Sequence, residues 1–172
     1  MISIFKKPSF ILAGIVIILL GVVFAPRVKE LLNPPKVHYH AGFVVFQENK
    51  KLDFSDAKYM AIEPCVQEGK KVATNEQLEK AHLHDNVGDV VHVEHKGATW
   101  QDLFTNIKFP IDYSTTSGYL DGKLVADYQL QPIQPFDSLV VIIGDKNTDL
   151  LSQAVTRDYI DEQGKKSKTC GD

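Results

Sequence analysis

The chain has few of the residues on which many enzymes and metal carriers depend. Its 172 residues include two cysteines, two methionines and one tryptophan, and the cysteines belong to no CxxC motif. Because no cysteine pair lies near a histidine and methionine is scarce, the handling of Cu(I) by soft sulfur ligands is disfavoured. The chain also has no HExxH and no GxSxG motif, so no established hydrolase signature and no serine-based catalysis is indicated.

Charge is missing from one long stretch near the N-terminus. Phe10–Ala25 reads FILAGIVIILLGVVFA, and no later run is comparable. The run is slightly shorter than the 20 or so residues that span a bilayer, but Lys6 and Arg27 are able to reach the headgroups from either side. We predict an uncleaved transmembrane anchor over residues 10–26, with the lipid bilayer as its partner. A cleaved signal peptide and a buried soluble helix are the alternatives.

The charges beside this run predict which side of the membrane the domain occupies. Two lysines and the amino terminus precede the run, whereas an arginine, a lysine and a glutamate follow it. By the positive-inside rule, we predict a single-pass protein of the cell membrane with residues 1–9 in the cytoplasm and an extracytoplasmic domain. There, Cys65 and Cys170 are compatible with a disulfide that ties the C-terminal tail to the domain. Two unrelated thiols are the alternative.

Beyond the anchor the chain divides into a spacer, one domain and a tail. Two consecutive prolines, Pro34 and Pro35, predict a stiff linker at residues 27–36. The remaining length suits one domain with a hydrophobic core, which we place at residues 37–161, followed by a tail at 162–172. This part of the chain is acidic and has no basic stripe, which argues against nucleic acid as a partner.

Strand patterns dominate the predicted domain. The segments rich in β-branched and aromatic residues are 37–46, 81–84, 90–95, 119–125 and 139–144. Thr99 with Asp102 resembles a capping box and predicts a helix through about Ile107, while Asn147 predicts a last helix through about Ile160. Strands with two helices indicate an α+β domain with a mixed sheet. The order of strand, helix, Asp-Gly hairpin and apolar strand in the second half is β-grasp-like, which is fold analogy alone.

The histidines are confined to one part of the chain. They form two HxH pairs and one HxxH pair, at His38, His40, His82, His84, His92 and His95. Each HxH pair lies in a predicted strand, where side chains two residues apart share a face. The members of each pair therefore point the same way.

The second HxH pair and His92 belong to a predicted hairpin. With the turn centred on Val87, residues pair when their numbers sum to 174, so His82 lies opposite His92, with Cβ atoms about 4.5–5.5 Å apart. The register gives the hairpin a polar face with His82, His84, His92 and Glu94, and an apolar face with Leu83, Val91 and Val93. A slip by one residue would bring the histidines inward, so this register is favoured.

Imidazoles from neighbouring strands are typical ligands of Zn or Cu. We predict a transition-metal site at His82, His84 and His92, which His38 and His40 either join or supplement with a second site. Asp85 and Glu94 are candidates for oxygen ligands, for acceptors that orient a histidine, or for a general base. Ordinary imidazole pKa values predict that metal affinity falls as the pH drops through about 6. A surface cluster that acts only as a pH-sensitive charge patch is the alternative, and His95 is out of phase with His92.

Several stretches resemble a family of prokaryotic membrane-anchored extracytoplasmic proteins that has no characterised activity. The matching stretches are HYHAGFVVF at 38–46, LDFSDAKYM at 52–60, AHLHDNVGDVVHVEH at 81–95, ATWQDLF at 98–104, and the LDGKLV hairpin with its closing LVVIIG strand. The resemblance implies a common fold and a shared histidine site at His38, His40, His82, His84 and His92. Glu94 stands where similar chains often place another histidine, so the resemblance does not make it a ligand.

Three functions fit these patterns. The first is a metal-binding module that captures, buffers or hands over Zn or Cu outside the cytoplasm. The second is a metalloenzyme in which three histidines leave a fourth position open for an activated water. The third is a structural or interaction domain of a membrane complex, a function that no single motif supports.

Overall fold

Strand β1 (Lys36–Gln47) lies in the middle of a seven-stranded sheet in the computed structural model, which describes residues 36–61 and 75–166. The other strands are β2 (Lys50–Lys51), β3 (Ala81–His82), β4 (Val90–His95), β5 (Thr116–Leu120), β6 (Lys123–Val125) and β7 (Ser138–Ile143). Their order across the sheet is β3-β4-β1-β7-β5-β6, and β2 pairs with β1. Since β1 and β7 are parallel and the other pairs antiparallel, the sheet is mixed.

Three α-helices accompany the sheet within the described ranges, and this combination confirms the predicted α+β class. They are α1 (Glu76–Lys80), α2 (Trp100–Asn106) and α3 (Arg157–Lys166), and short 3-10 segments lie at Ala57–Tyr59, Tyr113–Thr115, Tyr128–Leu130 and Thr148–Gln153. The predicted capping box opens α2, because the Thr99 hydroxyl accepts from the Asp102 amide and the Asp102 carboxylate accepts from the Thr99 amide. Trp100, Leu103 and Phe104 form the buried face of α2.

The predicted last helix is wrong in its extent. Asn147 does accept a hydrogen bond from the Asp149 amide, but it caps the 3-10 segment, and the chain is extended at Ala154 before α3 begins. Val155 packs so closely over Gly42 of β1 that a Cβ at position 42 would lie 2.5 Å from the Val155 Cβ. The extended link brings both Val155 and Ile160 onto the sheet, and this burial outweighs the local preference for one continuous helix.

Both faces of the sheet are covered, and β1 contributes alternate residues to each side. Phe43 and Val45 belong to a core that includes the buried face of α2. Val44 and Phe46 belong to a second core that includes Ile160 of α3. By the same alternation, His40 lies on the α3 side of the sheet.

Several predictions fall on residues outside the described ranges. These are the anchor at 10–26, nearly all of the linker, both cysteines and the end of the tail. Among the described residues, no helix has the length and apolar character needed to cross a membrane.

Candidate metal centre

Five of the six histidines converge where β4 lies between β1 and β3. The register places His92 of β4 opposite His40 of β1 on one side and opposite His82 of β3 on the other. The pairing of His82 with His92 confirms the predicted hairpin register. His84 reaches the same point from the loop after β3, which ends two residues earlier than the predicted strand. His38 stacks on His92, and we call His38, His40, His82, His84 and His92 the histidine cluster.

His82, His84 and His92 form one compact group, which we call the inner triad. One ring nitrogen from each residue lies within 4.8 Å of the other two. His84 Nε2 and His92 Nδ1 lie 2.6 Å apart, so without a metal one of them donates a hydrogen bond to the other, and a bound metal ion would take the place of that proton. His92 is almost fully buried, with 7% of its surface exposed, and the other two rings are half-buried. The group can therefore hold one transition-metal ion.

The remaining ring nitrogens of the inner triad face hydrogen-bond acceptors. His82 Nδ1 lies 2.9 Å from the carbonyl oxygen of Leu78, in α1, and His84 Nδ1 lies 2.8 Å from the carboxylate of Asp85. If these nitrogens carry the protons, each Nε2 keeps its lone pair for a metal. His92 has the opposite arrangement, because its Nε2 lies 3.5 Å from Glu94 while its Nδ1 faces His84. Acceptors of this kind orient histidine ligands in metalloproteins.

His38, His40 and His92 form a second group, the outer triad, which also has one nitrogen per ring within 4.8 Å of the others. The His38 ring stacks on the His92 ring at a centroid distance of 4.4 Å, and the His40 ring meets it edge-on at 4.8 Å. His38 is exposed to solvent, whereas His40 is half-buried. The sequence left open whether His38 and His40 join the site of the inner triad or form a second site. The structure places them in a separate group that shares His92 with the inner triad.

Helix α3 forms a wall of the cluster beside His40. A Cβ at Gly164 would lie 2.7 Å from His40 Nδ1, so only glycine permits this approach without moving the ring. His40 Nε2, on the other side of the ring, is buried and has no hydrogen-bond partner among the described residues. A buried nitrogen without a partner is costly, and a metal ion bound there would satisfy it.

Burial and mutual repulsion favour the uncharged form of His40, His82 and His92, because they lower the pKa of each ring. Burial, together with the smaller effect of the neighbouring His92, lowers the pKa of His40 and of His82 to about 4. Burial also lowers the pKa of His92, although the nearby Glu94 opposes the shift. A neutral imidazole is the form that binds a metal. Proton competition at these residues therefore begins at a lower pH than the value of about 6 expected from ordinary histidines.

The metal-free domain is expected to lose stability as the pH falls from about 6.5 towards 4. In this window the unfolded chain protonates His40 and His82, whose folded pKa values are about 4, so the unfolded state binds more protons. We expect the free energy of unfolding to fall by about 3 kcal/mol or more, most of it from His82, because the contribution of the more exposed His40 is reduced by solvent. Urea titrations in a chelator, followed by fluorescence of the only tryptophan, Trp100, measure it. The decrease in the free energy of unfolding should be smaller in His82→Gln than in the wild type. Equal decreases in the two proteins would contradict the assignment to His82.

A cavity of about 210 Å³ opens beside the cluster. Its walls include His40 and His84, the apolar side chains of Val87 and Val90, and Gln163 of α3. A small molecule of a few heavy atoms fits this volume. The cavity therefore gives the cluster a neighbouring space in which such a molecule can lie.

The structure places both candidate carboxylates at the histidine cluster and the sixth histidine, His95, away from it. Asp85 and Glu94 lie beside the inner triad, each next to a histidine. His95 points elsewhere, as its phase predicted, and its Nε2 lies 2.9 Å from the buried carboxylate of Glu79.

Sequence reasoning missed the Leu78 carbonyl and Gly164. The carbonyl oxygen of Leu78 belongs to the backbone, so the residue type at this position does not indicate its role. The contact of Gly164 with the cluster depends on where α3 docks.

Comparison with known proteins yields no relative. No protein-family model, no curated protein and no solved structure matches the chain. The function of the protein is therefore inferred from the geometry of the histidine cluster.

Proposed function

We propose that the protein is a membrane-anchored, extracytoplasmic transition-metal-binding protein that holds Zn(II) or Cu(II) through His82, His84 and His92. The proposal rests on how the ring nitrogens of the inner triad are arranged. One ring nitrogen of each residue lies within 4.8 Å of the other two, and each ring also has a nitrogen near an acceptor, namely the Leu78 carbonyl, Asp85 or Glu94. Chance clustering of histidines on a sheet does not require the second half of this arrangement.

The imidazole nitrogens of the cluster limit the choice of metal ion. Imidazole nitrogen suits Zn(II) and Cu(II), whereas Ca(II) and Mg(II) prefer cages of oxygen ligands. The outer triad adds two further imidazoles and no sulfur. The proposed cargo is therefore a borderline divalent ion.

The test begins with elemental analysis and Zn(II) titration of the full chain, purified in detergent without an affinity tag. We expect one ion per chain in the wild type and an affinity about a hundredfold lower in His84→Gln, because a ligand is lost. His95→Gln is the matched control, since His95 lies on β4 outside the cluster and is expected to keep wild-type affinity. A wild type that binds neither Zn(II) nor Cu(II), or equal losses in both variants, would refute the proposal.

We further propose that the protein is anchored in the cell membrane and belongs to the histidine-rich family that it resembles. The charge-free run at 10–25 and the flanking lysines support a single-pass anchor with the domain outside the cytoplasm. The resemblance to uncharacterised membrane-anchored histidine-rich proteins points the same way. A β-grasp-like topology is supported by the central parallel pair of β1 and β7, with β4 beside β1 and the β5–β6 hairpin beside β7.

A metalloenzyme is the second candidate, and the cavity beside His84 favours it. Three histidine ligands leave a coordination position for water, and Asp85 lies at the same cavity as a candidate base. The Co(II)-substituted protein separates the two functions. A visible spectrum that changes when azide is added indicates an open position and favours an enzyme, whereas an unresponsive tetrahedral spectrum favours storage or transfer.

A further inference from the structure

The two triads of the cluster differ in their access to solvent. His38 of the outer triad is exposed, whereas both unshared members of the inner triad are half-buried. His92, which both triads share, is the most buried ring of the five. An ion that approaches from solvent can therefore meet the outer triad first.

We infer that the outer triad is a second coordination position for the same ion, occupied on its way to and from the inner triad, with His92 as the residue common to both positions. The inference deepens the proposed function and rests on it, because it assigns a route to the ion that the inner triad holds. In this route the ion exchanges His38 and His40 for His82 and His84. Because His92 belongs to both triads, the two positions are adjacent and the ion does not have to leave the protein to change position.

His40 supplies an independent argument for the outer position. Its Nε2 is buried and has no hydrogen-bond partner among the described residues, while Gly164 lets α3 lie against the opposite edge of the ring. A ring that was merely structural would be expected to place its buried nitrogen against an acceptor or a donor. An ion passing through the outer triad gives this nitrogen a partner.

The position of His92 favours alternation over two simultaneous ions. To bind two ions, His92 would have to use both ring nitrogens and lose its last proton. Two divalent cations held by one imidazole would also repel each other strongly in a partly buried site. The Nε2 of His92 lies 3.5 Å from Glu94, which suits a nitrogen that carries the ring proton when Nδ1 binds an ion.

The inner position is expected to be the tighter of the two. Leu78 and Asp85 orient His82 and His84 through their second nitrogens, so little freedom is lost when a metal binds. His38 is exposed and must be ordered by the ion, which costs side-chain entropy. The ion should therefore rest in the inner triad and pass through the outer one.

The test measures rates as well as affinity. In stopped-flow mixing of the full chain with Zn(II) against a chromophoric chelator, His38→Ala should lower the association and dissociation rates together by about tenfold, while the equilibrium affinity changes by less than about threefold. Gly164→Ala should act in the same direction, because its Cβ displaces the His40 ring without removing an imidazole. His95→Gln is the control and should leave both rates unchanged.

A double variant tests the outer position directly. His84→Gln should retain weak Zn(II) binding through the outer triad, and His38→Ala/His84→Gln should lose it. If the wild type binds one ion but His38→Ala leaves both rates unchanged, the route is wrong and the inner site stands.

Two further results would also overturn the route. One is a wild-type chain that holds two ions. The other is a His38→Ala chain that loses as much affinity as His84→Gln, which would indicate one site built from all five rings. A wild type that binds no metal refutes the proposed function itself.

Discussion

The His92→Gln protein is expected to bind Zn(II) about a thousandfold more weakly than the wild type, the largest loss from any single change in the cluster. His92 belongs to both triads, so its removal breaks the inner and the outer positions together. His84→Gln and His38→Ala each leave one triad intact. Titration of the metal-free chain with Zn(II), in competition with a chelator of known affinity, measures the difference.

The effects of the cluster variants should also be non-additive. Once His92 is replaced, adding His84→Gln should change the remaining affinity little, because the triad that it would break is already lost. Gln is close to His in size, and circular dichroism of the metal-free variant should match that of the wild type. Additive losses in the double variant would contradict the sharing of His92.

The Phe43→Ala protein is expected to lose about 3–5 kcal/mol of its free energy of unfolding, a large share of the total for a domain of this size. Phe43 is fully buried in β1, and its ring packs against Phe54 at 5.4 Å and Phe104 at 6.1 Å between centroids. Its removal leaves a cavity between the sheet and α2. Urea unfolding followed by Trp100 fluorescence measures the loss in the presence of a chelator.

Leu124→Ala is the matched control for this prediction. Leu124 is 58% exposed in β6, so its truncation should change the free energy of unfolding by less than about 0.5 kcal/mol. Zn(II) at a hundred times its dissociation constant should restore about 2.7 kcal/mol to Phe43→Ala, because the ion binds the folded state alone. Absence of this rescue would mean that the variant no longer brings the three histidines of the inner triad together.

Local patterns in the sequence were sufficient for part of the site. Alternation of polar and apolar residues places His82 and His92 on one face and Leu83 and Val93 on the other, and the short loop between the strands sets their register. The capping box at Thr99 likewise acts within four residues. These features are predictable because the interacting residues are close in the chain.

The longer-range features of the site required the fold. His40 meets His92 because β1 pairs with β4 across about fifty intervening residues, a register that no nearby turn determines. The last helix was predicted wrongly for the same reason, since docking of Val155 on Gly42 interrupts it. The lowered pKa values of His40 and His82 follow from burial, which is a property of the assembled sheet.

The sequence by itself determined the α+β class, the face on which each histidine lies and the chemical kind of ligand, because these depend on residue type and on the period of a strand. Only the tertiary structure decided that the two HxH pairs meet at His92 as two overlapping triads, and that α3 closes on His40 at Gly164. The physical reason is that burial of two apolar faces of one sheet selects the strand order and the docking of α3. The histidines take the positions which that packing leaves to them.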